Sequence, residues 1–317
     1  MHIIVTIPAE KRHKELLEKT ALGHDFFYTD SKHLTDDIIK KADIIIGNPP
    51  SELLHKAENL KWLQLNSAGA DVYCQKGILP PKTKLTNATG AYGLALSEYM
   101  LAALLSMQKK LHMYYDNQKK SLWQDEGPVT SIDGSTVLVL GLGDIGGSFA
   151  RKVKALGAHV IGMRRRAAEK PDYIDEMASM DELDHCLARA DIVACSLPGT
   201  AATLHLLNAE KFALMKPGAY FINVGRGSAV VTEALCDALS SGHLAGAAVD
   251  VTDPEPLPPD HPMWHVPNLY ITPHTSGQYH LAATLDNIVR IAADNLAAFL
   301  EDQPLKNEVD FLTGYKK

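Results

Sequence analysis

The sequence predicts an α/β protein made of two open, parallel-sheet domains. Three observations predict it. Short apolar runs alternate with charged, helix-forming segments from end to end, as parallel strands do when helices cover both faces of their sheet. The alternation comes in two series, separated by a long helical stretch near residue 100. At 317 residues the chain has the length of two ordinary domains, and with 46% hydrophobic and 22% charged residues it can fill both cores.

In the first series "HIIVTIP", "ADIIIGN" and "LKWLQLNS" read as buried strands, and "KLTNATG" as a weaker one. Helix formers and charge fill residues 9–20, 31–41 and 50–58 between them. A long helix is expected from roughly Leu94 to Lys119. Leu94, Leu101, Leu104, Leu105 and Leu111 recur at helical spacing along it, and it ends in the polar "DNQKKSLWQDEGP". The second series runs "STVLVLGLG", "AHVIGM", "ADIVACSLP", "AYFINVGRG", "GAAVDV" and "LYITPH". An amphipathic, alanine-rich helix from about His280 to Glu301 closes the chain. The proline-dense "DPEPLPPDHP", Asp253 to Pro262, excludes both helix and central strand. It is therefore a loop, and its acidic and histidine residues make it a candidate for chemistry.

Composition excludes several classes of function. A formal net charge of −7 argues against a protein dedicated to nucleic acid. The apolar start is too short for a secretory segment and lacks a basic flank, and no apolar run is long enough to span a membrane. Cys74, Cys186, Cys195 and Cys236 are scattered without a CxxC pair, which fits reduced thiols in a cytoplasmic protein. His261, His265 and His280 lack the paired spacing of a metal motif, so no metal is expected.

The sharpest motif is "VLVLGLGDIGGSFARKVKALG", in which Gly141, Gly143 and Gly146 fit G-x-G-x-x-G between a strand and a helix. The first glycine permits the turn, the second lets a pyrophosphate approach the backbone, and the third lets helix and strand pack closely. The helix N-terminus then offers N–H groups to the phosphates. Asp144 is an acid close to those phosphates, and the expectation is that it favours the helix dipole while pointing away from the ligand. About twenty residues on, where an acid would grip a ribose 2′-hydroxyl, stand Met163, Arg164, Arg165 and Arg166. Guanidinium groups there suit a 2′-phosphate, which an aspartate would repel. The sequence thus favours NADP(H), with NAD(H) also usable. Arg164 and Arg165 are the expected contacts and Arg166 is expected to face water. The alternative is a solvated basic turn.

Three further stretches lie at strand ends, where open α/β sheets bind their ligands. They are "FINVGRGSAVVTEAL" with Arg226, "AAVDVTDPEPLP" with Asp250 and Glu255, and "LYITPHTSG" with His274. With the glycine turn, these ordered motifs resemble the D-isomer-specific 2-hydroxyacid dehydrogenase family over nearly the whole chain. The arginines at the strand end are most similar to its NADPH-dependent glyoxylate/hydroxypyruvate reductase branch.

The resemblance implies two Rossmann-like domains with the active site in the cleft between them. Residues 1–98 plus 285–317 would bind substrate and 99–284 the dinucleotide. It also implies a homodimer formed through the cofactor domain and the long helix after Gly93. Arg226, Glu255 and His274 match the family's catalytic residues. His274 would protonate the carbonyl oxygen, Glu255 would favour the charged imidazole, and Arg226 would grip the substrate carboxylate and polarise the carbonyl. Backbone N–H groups of "LNSAGAD" would hold that carboxylate, which implies Ala68 and Gly69 flanked by Ser67 and Ala70. Further cofactor contacts are implied at Ile145, Val224, Gly225, Ser276 and Gly277, with Asp250 on the nicotinamide carboxamide. Leu197 and Pro198 would flank the cofactor, although "SLPGTAAT" departs from the family's more usual H-x-P and leaves a polar contact there open. Trp264 is open between core packing and substrate contact.

The implied activity is hydride transfer from NADPH to C2 of a small 2-oxo acid, giving the D-2-hydroxy acid. The alternatives are an NAD-linked D-2-hydroxyacid dehydrogenase for a larger keto acid and a cofactor-sensing binding protein of the co-repressor kind. Each expects a small-molecule 2-oxo or 2-hydroxy acid or a cofactor as partner, without nucleic acid or membrane.

Overall fold

The computed structural model describes residues 1–165, 169–311 and 314–316, the last two by backbone alone. By its contacts the chain divides into Met1–Tyr92 with Tyr279–Lys317, and Gly93–Gln278. The sequence-based boundaries, 98/99 and 284/285, lie a few residues further along at each crossover. Gly93 already goes with the second unit, because its N–H donates to Asp144 Oδ2 at 2.7 Å.

The first unit contains β1 (His2–Val5), α1 (Lys11–Thr20), β2 (Asp25–Tyr28), α2 (Asp36–Ile39), β3 (Ile44–Ile46), β4 (Trp62–Gln64) and β5 (Lys84–Thr86). The strands form one parallel sheet in the order β2-β1-β3-β4-β5. Its centre is made of β-branched residues: Ile3, Ile4, Val5, Ile44 and Ile45 have no exposed surface. Each such side chain contributes about 1.5–3 kcal/mol by leaving water. β2 escaped the sequence reading because it is an edge strand whose residues alternate between exposed and half-buried, so it offers no continuous apolar run. Residues 31–41 hold only a short 3₁₀ turn and α2, and 50–58 only a 3₁₀ segment at Ser51–Lys56. The last helix of the chain (Ala282–Leu300) returns to this unit. Its buried Asn295 donates to Gln64 Oε1 at 2.8 Å, and Thr86 Oγ1 donates to the same oxygen at 2.7 Å. Trp62 Nε1 in turn donates to Thr86 Oγ1 at 2.8 Å. All four side chains are fully buried, so this closed polar network fixes β4, β5 and the last helix in register.

The second unit opens with two helices where one was expected, α3 (Gly93–Gln108) and α4 (Leu111–Lys119). The break falls at Lys110, whose φ of 55° is left-handed. No glycine or proline announces it. The following segment holds it instead, with Lys109 Nζ donating to Thr130 O at 2.7 Å and Lys110 Nζ to Glu126 O. Then come β6 (Thr136–Leu140), α5 (Asp144–Ala155), β7 (His159–Met163), β8 (Glu176–Ala178), α6 (Leu183–Arg189), β9 (Ile192–Cys195), α7 (Ala209–Leu214), β10 (Ala219–Asn223), α8 (Thr232–Ser240), β11 (Leu244–Val249) and β12 (Leu269–Ile271). They build a seven-stranded sheet in the order β12-β11-β10-β9-β6-β7-β8, parallel throughout. β6, β9 and β10 are buried along almost their whole length, as strands covered on both faces must be. The strand order reverses between β6 and β9, so the carboxyl ends of these two strands flank the crevice where such sheets take ligands. The helix Ala282–Leu300 is α9, and a short antiparallel pair, β13 (Val309–Asp310) and β14 (Tyr315–Lys316), ends the chain.

Candidate active site

The glycine turn lies where β6 ends. Gly141 has a φ of +95°, and its N–H donates to Met163 O at 3.0 Å. A Cβ on Gly146 would stand 1.9 Å from Gly141 O, so only glycine lets α5 approach the turn this closely. A Cβ on Gly143 would meet nothing within 4 Å. Gly143 is also the N-cap of α5, and no side chain caps it. This is the cradle a dinucleotide pyrophosphate needs: an open approach at the second glycine, beside a helix N-terminus without a side-chain acceptor. The residues present therefore fit a nicotinamide dinucleotide.

Asp144 turns away from that approach, since its carboxylate accepts the Gly93 N–H of α3. Ile145 is half-buried and Met163 is fully buried in the core, so Met163 can meet a ligand only through its backbone. Arg164 Nη2 donates to Leu142 O at 2.9 Å, laying the guanidinium across the glycine turn. Arg165 is exposed, and Arg166 lies outside the described residues. Across the crevice Ser196 Oγ donates to Gly141 O at 2.9 Å from the position of the family's more usual histidine. Cys195 next to it is fully buried, and burial pushes its thiol up to about 11, which removes it as a nucleophile at neutral pH.

The loops after β9 and β10 touch. A Cβ on Gly225 would come within 2.3 Å of Leu197 O, and the stem of Arg226 lies against Gly199. Pro198 O accepts from Thr203 Oγ1 at 2.6 Å, which closes its loop. Asn223, the last residue of β10, holds the Arg226 turn with both ends of its amide. Its Nδ2 donates to Arg226 O and its Oδ1 accepts from Gly225 N, each at 3.0 Å. Val224 and Gly225 are buried beneath this turn, and Arg226 itself is half-buried with Nη1 donating to Gly225 O. The turn then abuts the next loop, because a Cβ on Gly227 would stand 1.9 Å from Thr252 O.

That next loop carries Glu255, and Glu255 meets His274. Glu255 Oε1 lies 2.6 Å from His274 Nδ1. As a carboxylate it can only accept, so Nδ1 carries the shared proton and Nε2 is the nitrogen left for proton exchange. The two side chains are 48% and 41% exposed, and an ion pair so open to water contributes at most about 1 kcal/mol. Its effect is therefore orientation of the ring and not stability. His274 also has a left-handed φ of 51°, which its surroundings must impose. Its N–H donates to Asp250 O at 2.8 Å, and the Asp250 carboxylate binds Thr272, Thr275 and Ser276 on either side of it. Gly277 follows, half-buried. Trp264 is 44% exposed with Nε1 donating to Pro258 O at 2.8 Å, so it braces the proline loop and is not a core residue. His261 caps the short 3₁₀ turn that carries Trp264.

In the first unit the segment after β4 forms a separate feature. Asn48, beyond β3, accepts from Asn66 N at 2.9 Å and donates to Ser67 Oγ at 3.0 Å. The carbonyls of Ser67, Ala68 and Gly69 accept from Ala88 N, Asn87 Nδ2 and Ser67 Oγ respectively. Among the described residues none accepts from the backbone N–H groups of Ser67, Ala68, Gly69 or Ala70. Carbonyls engaged and amides unengaged make a turn suited to an anion.

The sequence reading missed Asn48, Asn223, Thr272 and Tyr99. A small amide or hydroxyl just past the carboxyl end of a strand is the signal that could have found Asn48 and Thr272, and one at the strand's last position could have found Asn223. Tyr99 reads as one more residue of an apolar helix.

A family profile, D-isomer specific 2-hydroxyacid dehydrogenase, NAD binding domain, matches residues 101–276. The chain is 32% identical over 278 residues to glyoxylate/hydroxypyruvate reductase A of Serratia proteamaculans, covering 86% of this chain and 87% of that protein. It is 28% identical over 307 residues to the chloroplastic/mitochondrial formate dehydrogenase of Arabidopsis thaliana, covering 90% and 78%. Among solved structures, a D-isomer specific 2-hydroxyacid dehydrogenase family protein from Aeromonas salmonicida superposes with a TM-score of 0.87 at 34% identity, over 98% of this chain and 99% of that one. An NADPH-dependent glyoxylate/hydroxypyruvate reductase from Sinorhizobium meliloti, in complex with NADP and sulfate, does so with a TM-score of 0.84 at 28% identity, over 99% of each chain. The chain belongs to the D-isomer specific 2-hydroxyacid dehydrogenase family.

Proposed function

We propose that the protein reduces a small 2-oxo acid of the glyoxylate or hydroxypyruvate kind to its D-2-hydroxy acid, using NADPH. The observation that carries this reading is the His274–Glu255 pair at 2.6 Å, one loop from the Arg226 turn. When bound, the reduced nicotinamide supplies a hydride to C2. The chain's residues manage the charge that this leaves. His274 Nε2 gives a proton to the carbonyl oxygen, while Glu255 holds Nδ1 and so orients the ring. Arg226 binds the substrate carboxylate and polarises the carbonyl. The N–H groups of Ser67, Ala68, Gly69 and Ala70 take the remaining carboxylate contacts. Gly141, Gly143 and Gly146 with the N-terminus of α5 hold the pyrophosphate, and Arg164 with Arg165 takes the 2′-phosphate.

Support for the NADPH reading comes from Arg164, already drawn to the glycine turn by Leu142 O. The Serratia and Sinorhizobium relatives support the choice of substrate class. Steady-state rates with glyoxylate, hydroxypyruvate, phenylpyruvate and a branched-chain keto acid, each with NADPH and NADH, test the proposal. Turnover of the small acids with a large NADPH preference is expected, and Arg164→Asp should reduce that preference. Equal use of both nucleotides, or turnover of the larger acids alone, defeats it. His274→Ala should lower kcat by about 10²–10⁴-fold with NADPH still bound.

We further propose a cytoplasmic homodimer formed through the second unit. Leu111, Tyr115, Leu122 and Trp123, on α4 and the segment after it, are all more than half exposed or nearly so, at 54%, 59%, 50% and 106%. Exposed apolar side chains of this kind support an association face there. Sedimentation equilibrium should give twice the chain mass, and a monomer at micromolar concentration would refute it.

A further inference from the structure

We propose that Ser196 is a positioning residue for the dinucleotide. From the end of β9 its hydroxyl holds the Gly141 carbonyl beneath α5, so that the glycine turn meets the pyrophosphate with N–H groups and not with a carbonyl. The inference rests on the proposed seat of the pyrophosphate at Gly141, Gly143 and Gly146.

Residues 141–143 of the turn have three carbonyls, and each is engaged. Gly141 O accepts from Ser196 Oγ, Leu142 O from Arg164 Nη2 and Gly143 O from Gly147 N, each at 2.9 Å. Among the described residues none accepts from the backbone N–H groups of Leu142, Gly143 or Ile145. Engaged carbonyls beside unengaged amides make a nest for an anion. Two of the three donors are accounted for otherwise. Gly147 N closes the first turn of α5, and Arg164 is proposed for the 2′-phosphate. Ser196 is the third, and it reaches the turn from the neighbouring strand.

Ser196 follows Cys195, the last residue of β9, and its N–H donates to Leu140 O at 2.9 Å. Its single hydroxyl proton goes to Gly141 O, with Leu140 O further off at 3.4 Å. Gly141 O lies 1.9 Å, and Ser196 Oγ 2.8 Å, from where a Cβ on Gly146 would stand. Carbonyl, hydroxyl and helix thus share a space that is open only because residue 146 is glycine. On the other flank a Cβ on Gly225 would stand 2.3 Å from Leu197 O and 3.1 Å from Ser196 C, so the same strand end also abuts the Arg226 turn. The polar contact that "SLPGTAAT" leaves open is thereby a hydrogen bond to the glycine turn itself.

Removing the hydroxyl leaves Gly141 O without a donor, since among the described residues no other group donates to it. An unsatisfied carbonyl turns toward water. The exposed side of this turn, at Gly143, is the side proposed for the pyrophosphate, so a carbonyl swung that way sets its negative end against the phosphates. The pyrophosphate is common to NADPH and NADH, whereas the 2′-phosphate belongs to NADPH alone. Ser196 therefore acts on both nucleotides alike, and Arg164 on their ratio. In the full-length protein, Ser196→Ala should raise the dissociation constants of NADPH, NADH and ADP-ribose by about tenfold each, the equilibrium effect of one lost hydrogen bond. That of 2′-AMP, which has the 2′-phosphate but no pyrophosphate, should move less than about twofold, as should the ratio of NADPH to NADH affinity. Turnover at saturating NADPH should stay within about threefold, and Ser196→Thr, which keeps the hydroxyl, should bind all four ligands within about threefold of the unmodified protein.

Unmodified affinity of Ser196→Ala for NADPH and ADP-ribose overturns the inference, even where the variant melts earlier. So does a loss confined to NADPH, a loss shared by 2′-AMP, or a Ser196→Thr that binds as weakly as Ser196→Ala. If Ser196→Ala does not fold, Ser196→Cys decides. Its weak S–H donor should weaken NADPH and ADP-ribose together, and unmodified affinity for both overturns the inference. ADP-ribose binding is read without turnover. An unmodified protein that binds it but reduces no 2-oxo acid refutes the proposed reaction, while the Ser196 comparison still decides the positioning. One that does not bind it refutes the seat of the pyrophosphate, and the inference with it.

Discussion

Gly143→Ala and Gly146→Ala should separate two properties that a glycine-rich turn usually mixes. A methyl on Gly146 would lie 1.9 Å from Gly141 O and 2.8 Å from Ser196 Oγ. The first distance is about 1.5 Å short of ordinary contact, and the obstacle is backbone, so the turn itself must shift. Overpacking of that kind costs about 1–3 kcal/mol, and a backbone obstacle puts it near the upper end. For a unit of this size, about 3 kcal/mol lowers Tm by roughly 6–12 °C. A methyl on Gly143 meets no protein atom within 4 Å. Its φ of −79° suits alanine, so the cost is only that of a poorer N-cap, about 0.5–1 kcal/mol. Yet that methyl occupies the open side proposed for the pyrophosphate. Both variants should therefore weaken NADPH by about 100-fold, equivalent to about 2.7 kcal/mol, while only Gly146→Ala melts much earlier. Thermal melting with and without NADPH reads both effects, since a ligand that binds only the folded state raises Tm. Unmodified NADPH affinity in Gly143→Ala would refute the placement of the pyrophosphate. Equal destabilisation by the two alanines would refute the reading of the open side.

Three further outcomes are expected. Asn223→Ala leaves the buried N–H of Gly225 without its acceptor and takes one of two donors from the carbonyl of Arg226, which keeps Ala229 N at 3.3 Å. The cost should be about 1–3 kcal/mol in urea unfolding with a parallel loss in kcat/KM, and a change under 0.5 kcal/mol would contradict the clamp. Asn48→Ala loosens the turn at 66–67 and should raise KM for the 2-oxo acid by about tenfold with NADPH affinity unchanged; an unchanged KM would remove that turn from the substrate site. Glu176 is pushed down to about 2, first by its bidentate contact with Arg189 and then by His159. Because the folded value is depressed, its stabilisation is complete above the unfolded value of about 4.5 and is lost as pH falls through about 2. Glu176→Gln should flatten the fall in stability over that window. The carboxylate is 39% exposed, so solvent screening holds the effect below about 1 kcal/mol, and an unaltered acid limb would refute it.

Most of the framework was legible because it is written in local pattern. Runs such as Val137–Leu140 and Ile192–Cys195 are apolar on both faces and sit between helix formers. What the pattern does not carry was lost. The edge strands β2 and β8 have mixed or half-buried faces, and β8 is held by Glu176 to α6, not by an apolar run. The break at Lys110 is made by residues 126 and 130, which no window on the helix includes. The same limit governs the site. Arg226, Glu255 and His274 stand in motifs that can be read in line. Tyr99 reaches Thr272 across 173 positions, and Asp250 reaches Ser276 across 26. Such pairs exist only once the strands have been laid side by side.

Asn48, Asn223 and Asp250 share a physical cause. In a parallel sheet the hydrogen-bond ladder stops at the carboxyl ends, and the loops that leave them carry backbone groups with no strand to pair with. Neighbouring strands are about 4.8 Å apart, a gap that an asparagine or aspartate side chain can bridge to the adjoining loop. Asn48 does so from β3 to the end of β4, and Asp250 from β11 to the end of β12. Asn223 does it within its own turn. Each satisfies buried or partly buried backbone and, in the same contacts, fixes a loop proposed for substrate binding or proton transfer. A loss of activity at these positions therefore cannot be separated from a loss of order by melting alone. Gly143→Ala is the opposite case, in which the protein tolerates the methyl and the ligand does not, and for that reason it tests function where the strand-end clamps test the scaffold that serves it.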